Sequence, residues 1–506
     1  MKVISAYFIF LATSPSIDAF RILAIFTSCT RSHDMVTSAL VKGLHLKGHN
    51  VTVLTGLPEM YDAVETLHIK DLADIRDSYR QNLIGKRKTS VFQSLFLFGT
   101  IPYGIELTES VLESKELHSL LKRKFDVLLL EDYFNEAVLG LSTVFSAPVV
   151  LLRTQVSPTL NQNNQIKVGF SPPMSFVPSV QSTFSDRMTF SERLQNVLLV
   201  SIEKFAMIFH MWYQQRIYDK CFKEPKPKLE VLVKNISFVL QNTHESLFYP
   251  QPTVPNFKEI GGLHVSPIIK PLPEDIEKFV KNSEEIIYFS FGGNIDFSDF
   301  DIEKQEAILA VFQKTKQKVL LKTRKRISKK YKNILIKDWL PQNDILANPK
   351  VKVFITHGGL QSFQETVFHA VPIVGIPIYG DQVHNIASAV HKGIGVHLDY
   401  GNITEESLKE AIKEVVENEK YKENMVKVSR RYHDRQVSPL DNAVYWIEYV
   451  VKYKGADHLK NAGIDLNVIE YSCLDVFAFL MLLFFWVCWL MLYGVKKCFL
   501  KKEKVD

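Results

Sequence analysis

Residues 351–385 read VKVFITHGGLQSFQETVFHAVPIVGIPIYGDQVHN, and this stretch decides the fold. An apolar strand-like run closes on Thr356-His357, two glycines make a turn, and 361–369 returns to helical spacing. A second apolar run, 372–376, follows, and Asp381-Gln382 opens the next helix. Strand, glycine turn, helix and strand form the repeating unit of a parallel sheet. A glycine turn that feeds a helix leaves several backbone N–H groups without intrahelical partners. Together with the helix dipole, these suit a diphosphate. His357 at the mouth of the turn adds a donor for a phosphate oxygen. Glu365, further along the helix, can accept hydrogen bonds from two vicinal ribose hydroxyls, and the carboxylate and amide of Asp381-Gln382 suit the hydroxyls of a sugar.

The same alternation extends in both directions. Strand-like runs at 285–291, 318–323 and 394–398, with a helical 302–315, complete one doubly wound unit. Within it, Gly292-Gly293 lets backbone approach a ligand closely. Trp339 offers a flat indole for stacking a base, and Gln342 and Asn343 offer amides for its polar edges. Earlier in the chain a second unit begins with a strand at 21–27, a helix at 33–47 ending before Gly48, and a strand at 50–55. It continues through 126–130, 135–145 and 148–152. Between the units, 248–273 holds six prolines around Gly261-Gly262, which marks a hinge. The expected fold class is therefore α/β, with two doubly wound domains facing a cleft where ligands collect at the strand carboxyl ends. The N-terminal domain covers 20–260, the linker 261–283 and the C-terminal domain 284–455. Residues 190–213 form a long apolar helix-like stretch that either lines an acceptor pocket, rests on a membrane, or packs as a helical insert.

The first domain supplies a base. His33 follows the first strand in TSCTRSH, at the start of a helix and so at the cleft, where a neutral imidazole acts near pH 7. A carboxylate on its other nitrogen would fix the tautomer, and the strand DVLLL ends in Glu131-Asp132. Either residue equally reads as a cap for the next helix.

From Trp339 to Gln382 the ordered motifs closely resemble the signature of the UDP-glycosyltransferase family, in the layout of its animal membrane-bound, insect-like branch. Singly, Trp339 reads as core and Asp381 as a helix cap; the order of the whole set carries the resemblance. It implies a GT-B fold with the donor on the C-terminal domain. Trp339 would stack the uracil, Gln342 and Glu365 would hold the nucleoside, His357 and Gly359 the diphosphate, and Asp381 and Gln382 the sugar, with Gly292 beside the donor. It also implies His33 as catalytic base. Matching backward from Pro148 places Asp132 on the family's catalytic carboxylate, whereas matching forward from Phe125 favours Glu131; Asp132 is taken. Two departures stand out: Gly293 where many relatives carry Ser, and Gln361 where many carry Asn.

The two ends add a compartment. Lys2, an apolar 3–12 and a cleavage point after Ala19 predict a signal peptide over 1–19. Residues 476–495 carry no charge and suffice for one transmembrane helix, after a juxtamembrane 456–475. Five lysines in the tail 496–506 mark the cytoplasmic side, so the domains are luminal, type I, in the endoplasmic reticulum membrane. The sequence Lys502-Glu-Lys504-Val-Asp matches a dilysine retrieval signal as well as it matches span-flanking charge. Lysines of the tail also supply much of the net charge of +6, and no basic stripe interleaved with aromatics appears elsewhere, so nucleic acid is not an expected partner. Five cysteines, three of them in or beside the span, exclude a disulfide framework. Sequons stand at Asn50, Asn235 and Asn402.

Three other signals fall away. Asp299 and Asp301 imitate a metal-chelating pair but precede a helix, where capping is ordinary; His45 and His49 lack a carboxylate ligand. No nucleophile elbow is present. The expectation is an inverting, metal-independent transfer of a hexose, glucose from UDP-glucose, to hydroxyls of small lipophilic acceptors. No cofactor is needed, and the chain is compatible with a homo-oligomer. The competing reading is a non-catalytic membrane glycoprotein that binds lipophiles, which would require damage to His33, Asp132 or the donor loop.

Overall fold

Near-continuous apolar runs, rather than alternating ones, mark strands that are covered on both faces. Of this kind in the first half are β1 (Arg21–Ile25), β4 (Val127–Glu131), β5 (Val149–Arg153) and β6 (Phe238–Gln241), joined by β2 (Asn50–Thr55) and the more exposed β3 (Glu65–His68) and β7 (Phe257–Glu259). They make one parallel seven-stranded sheet in the order β3-β2-β1-β4-β5-β6-β7. In the second half β8 (Ile286–Ser290), β9 (Lys318–Lys322), β10 (Ile334–Lys337), β11 (Val351–Thr356), β12 (Ile373–Gly375) and β13 (Gly395–His397) make a parallel sheet in the order β10-β9-β8-β11-β12-β13. The fold is a computed structural model that describes residues 19–86, 90–155, 167–325, 327 and 331–502. The expected signal peptide, apart from Ala19, and the last four residues of the tail lie outside the described residues.

In each sheet the strand order reverses once, between β1 and β4 and between β8 and β11. Chains leaving adjacent strands at such a point diverge to opposite faces of the sheet and open a crevice at the carboxyl ends. The Arg31–Leu46 helix leaves β1, and Glu131 ends β4. Gly292 follows β8, and His357 follows β11. All four positions are therefore placed at switch points by topology alone.

Two features depart from the expected domain plan. The Pro439–Lys452 helix, expected in the second domain, packs on the first: Ala443, Val444, Ile447 and Val450 share a core with Ile22, Ala24, Val51 and Phe238. Trp446 stacks on Phe238 at 4.6 Å, and a Leu440 methyl lies 2.3 Å from where a Cβ on Gly43 would stand, so a larger residue there would push that side chain aside. Within the expected linker, 274–280 forms a helix that buries Ile276 and Val280 in the second domain. At the C-terminus the Leu474–Lys502 helix contains an apolar stretch, 474–497, long enough to cross a bilayer and unburied by the rest of the chain.

Candidate active site

Successive side chains on a strand point to opposite faces, and this decides which carboxylate meets His33. Glu131, the last residue of β4, turns toward the Arg31–Leu46 helix. Its Oε1 lies 2.7 Å from His33 Nδ1, and its Oε2 accepts a 2.9 Å bond from the Ser28 N–H. Thr154, one residue past β5, closes the group: its Oγ1 is 2.8 Å from His33 Nδ1 and 3.2 Å from Glu131 Oε1. Glu131 is 1% exposed. Burial pushes its carboxyl up, but the bond and charge of His33 and the Ser28 N–H outweigh that and hold it below the usual range. An ionised carboxylate only accepts hydrogen bonds, so the proton facing Glu131 sits on Nδ1, which in the neutral ring places the lone pair on Nε2.

Asp132 is not the partner of His33, contrary to expectation. One residue further on, it faces the other side of the sheet, with Arg153 Nε at 2.5 Å and Lys167 Nζ at 2.6 Å. Burial raises its carboxyl, and Lys167 and then Arg153 more than reverse that shift. Asp132 thus belongs to a buried charge network, which Lys167 extends to Glu136 at 3.1 Å.

Across the cleft, His357 nests between two glycines. A Cβ on Gly292 would stand 3.0 Å from its Cε1, and one on Gly359 would stand 2.6 Å from its Nε2. Gly292 and Gly358 also hold positive φ, at 73° and 80°, which side chains resist. The His357 ring is partly exposed, its Nδ1 is buried without a partner, and burial first, then Lys322, push its pKa down to about 3. The imidazole is therefore neutral and has an unspent polar atom. Lys322, which nothing in the sequence singled out, ends β9 with Nζ 2.8 Å from the Gly292 carbonyl oxygen. Burial, and Arg31 of the other domain, depress its own pKa.

Of the other residues expected to hold the donor, Glu365 lies on the Leu360–Phe368 helix, Gln342 opens the Gln342–Leu346 helix and Gln382 opens the Gln382–His391 helix. Gln342 donates from Nε2 to Glu365 and to Ser362 Oγ (2.9 Å), and accepts from the Tyr288 hydroxyl at 3.1 Å. Burial lifts the Glu365 carboxyl to about 7, against the pull of Gln342 and Lys322. Trp339 is 57% exposed while its neighbour Leu340 is buried, an orientation that suits a stacking platform. The Asp381 side chain does not cap the helix it precedes. Gln382 Oε1 accepts from the N–H groups of Ile378 (2.8 Å) and Tyr379 (3.1 Å), which leaves its NH₂ for a ligand.

The two faces are joined. Gln361 Nε2 donates to the Thr154 carbonyl at 3.0 Å, and Gln364 Nε2 donates to the Asn242 carbonyl at 2.8 Å. Thr154 therefore touches His33 with its hydroxyl and the donor helix with its carbonyl; no motif marked it. The signals set aside resolve structurally: Asp299 completes a capping box with Asp296, and His49 bonds Glu448 at 3.0 Å. Among the described residues, no three His, Cys, Asp or Glu side chains converge as metal ligands would.

Residues 22–505 match the model of a family described as UDP-glucoronosyl and UDP-glucosyl transferase. The chain is 34% identical to the UDP-glycosyltransferase UGT5 of Dactylopius coccus, over 97% of this chain and 94% of that one. It is 35% identical to the UDP-glucuronosyltransferase 2B17 of Homo sapiens, over 89% and 88%. Among solved structures, the glycotransferase of kitacinnamycin superposes with a TM-score of 0.58 at 16% identity, covering 85% of this chain and 98% of that one. That last likeness concerns the GT-B fold.

Proposed function

The chain belongs to the UDP-glucuronosyl and UDP-glucosyl transferase family and is a glycosyltransferase; from that premise we propose that it moves glucose from UDP-glucose to a hydroxyl of a small lipophilic acceptor, with inversion and without a metal. The observation that carries this reading is the His33–Glu131 pair at one switch point, tied through Thr154 to the helix that opens beside His357 at the other.

In this mechanism the acceptor oxygen attacks the anomeric carbon on the face opposite the diphosphate. Its proton passes to His33 Nε2, and Glu131 stabilises the resulting imidazolium, a contribution of about 10²–10⁴ in rate. The bond from the anomeric carbon to the phosphate oxygen breaks, and UDP leaves with the electron pair. Its charge meets the N–H groups at the start of the Leu360–Phe368 helix, with Lys322 nearby. The uracil rests on Trp339, the ribose on Glu365 and Gln342, and the sugar on Asp381 and Gln382. The enzyme works from the endoplasmic reticulum membrane as a single-pass type I protein with both domains luminal.

The test incubates membranes carrying the protein with UDP-glucose and with UDP-glucuronic acid over a panel of phenolic acceptors. A product heavier by a hexose, with its anomeric configuration inverted by NMR, is the expected result. A hexuronic acid adduct, or retained configuration, would overturn the donor or the mechanism respectively.

A further inference from the structure

The Phe190–Cys221 helix is apolar on its outer face and mixed on its inner one. Its protein-facing side buries Asn196, Glu203, His210 and Gln214 beside Val200, Ala206, Met207 and Ile217. Asn196 accepts from the Ser179 N–H at 2.7 Å and donates to the Met174 and Val177 carbonyls at 2.8 and 3.0 Å. Glu203 accepts from the Ser179 hydroxyl, and His210 bonds Glu136. Gln214 accepts from the Ala137 N–H and donates to the Phe134 carbonyl, both at 2.9 Å. The opposite stripe carries Leu194, Leu198, Ile202, Phe205, Phe209 and Trp212, each 46–57% exposed. A helix on a water-soluble surface turns a polar face outward, and an exposed apolar stripe of this length marks a contact surface.

Two observations identify what covers it. First, the loop that leads into this helix touches the base of the apolar C-terminal helix. The Ser171 N–H donates to the Tyr471 hydroxyl at 3.2 Å, and Asn461 Nδ2 donates to the Val168 carbonyl at 3.2 Å. Tyr471 stands three residues before that helix begins at Leu474, and the same loop supplies Met174, Val177 and Ser179 to Asn196. The helix is therefore coupled through one short loop to the point where the chain enters the bilayer. Second, the stripe ends in an aromatic and basic pair, with the Arg216 guanidinium 4.3 Å above the Trp212 ring. Such a pair suits the boundary between headgroups and acyl chains.

We propose that the exposed face of the Phe190–Cys221 helix lies in the interfacial layer of the bilayer that the Leu474–Lys502 helix crosses, as a second and in-plane membrane contact. The helix lies flat rather than spanning, because its inward bonds recur from Asn196 to Gln214 and pin it lengthwise to the domain. Its apolar stripe, 190–213, is about 35 Å long at ~1.5 Å per residue.

The experiment uses the full chain in proteoliposomes, with Cys221, Cys473, Cys488 and Cys498 changed to Ser. An environment-sensitive fluorophore is placed in turn at Leu198→Cys, Phe205→Cys and Trp212→Cys, with Lys420→Cys on a charged outer helix as control. The expected result is several-fold stronger quenching by spin-labelled lipid at the three stripe positions than at 420, with protection there from aqueous iodide. Iodide quenching at the stripe equal to that at 420 overturns the proposal. So does protection from both quenchers that vanishes when protein is diluted in lipid, since the stripe would then be covered by a second copy of the chain.

Discussion

Gln361 Nε2 lies 3.0 Å from the carbonyl oxygen of Thr154, whose hydroxyl lies 2.8 Å from His33 Nδ1. A single residue of the N-terminal domain thus touches both the Leu360–Phe368 helix and the proposed base. The family resemblance leads one to expect Asn at this position. Asn is one methylene shorter and falls short of the carbonyl. Gln361→Asn is expected to remove one interdomain bond worth about 0.5–1.5 kcal/mol, or roughly two- to tenfold in kcat/KM. Steady-state kinetics against UDP-glucose check this, and an unchanged kcat/KM would show that the link is idle.

The two neighbouring carboxylates should separate cleanly. Glu131→Gln keeps the shape but lets an amide face Nδ1, which frees the wrong tautomer; kcat is expected to fall by about 10²–10⁴ while UDP binding is retained. His33→Ala should do the same.

Asp132→Asn acts on the other face of the sheet. It weakens the pairing of two buried cations, Arg153 and Lys167, and breaking such a pair costs about 3–5 kcal/mol of stability. Thermal unfolding should shift down strongly, while kcat per folded molecule stays near the parent's. A large kcat loss in the folded fraction would restore Asp132 to the chemistry.

Donor affinity should depend on pH through Glu365, whose carboxyl burial raises to about 7. Ribose hydroxyls donate to the ionised form, so binding favours ionisation and releases a proton. Affinity for UDP-glucose should therefore rise with pH through about 7 and level off above it. Calorimetry in two buffers of different ionisation enthalpy measures the released proton. Glu365→Gln should bind weakly and without that dependence.

Trp339→Ala should weaken UDP by about 1–3 kcal/mol, the usual worth of stacking a base on an aromatic ring, and Trp339→Phe should recover most of it. Equal losses in both variants would mean that the indole is held for another reason.

Much of this protein is legible along the chain because its signals are local. Glycine turns, the apolar runs of β4, β8 and β11, and the ordered donor motifs each span a few residues, and parallel-sheet topology carries His33 and His357 to switch points without further information. The short strands β3, β6, β7 and β10 escaped notice, since runs of three or four residues lack a pattern long enough to read.

Composition, periodicity and motif order thus determined two α/β domains and an apolar helix near the C-terminus, and they nominated His33 as a base and a donor set on the second domain. Only the folded chain decided which carboxylate serves that base, because the choice between Glu131 and Asp132 depends on which face of β4 each side chain meets. It alone brought Gln361 to Thr154 and Lys322 to Gly292, since these pairs lie on separate segments, and hydrogen bonds between distant segments leave no periodic trace. The polarity of the Phe190–Cys221 helix was settled in the same way: a sequence shows that a helix has two faces, and packing decides which one turns inward.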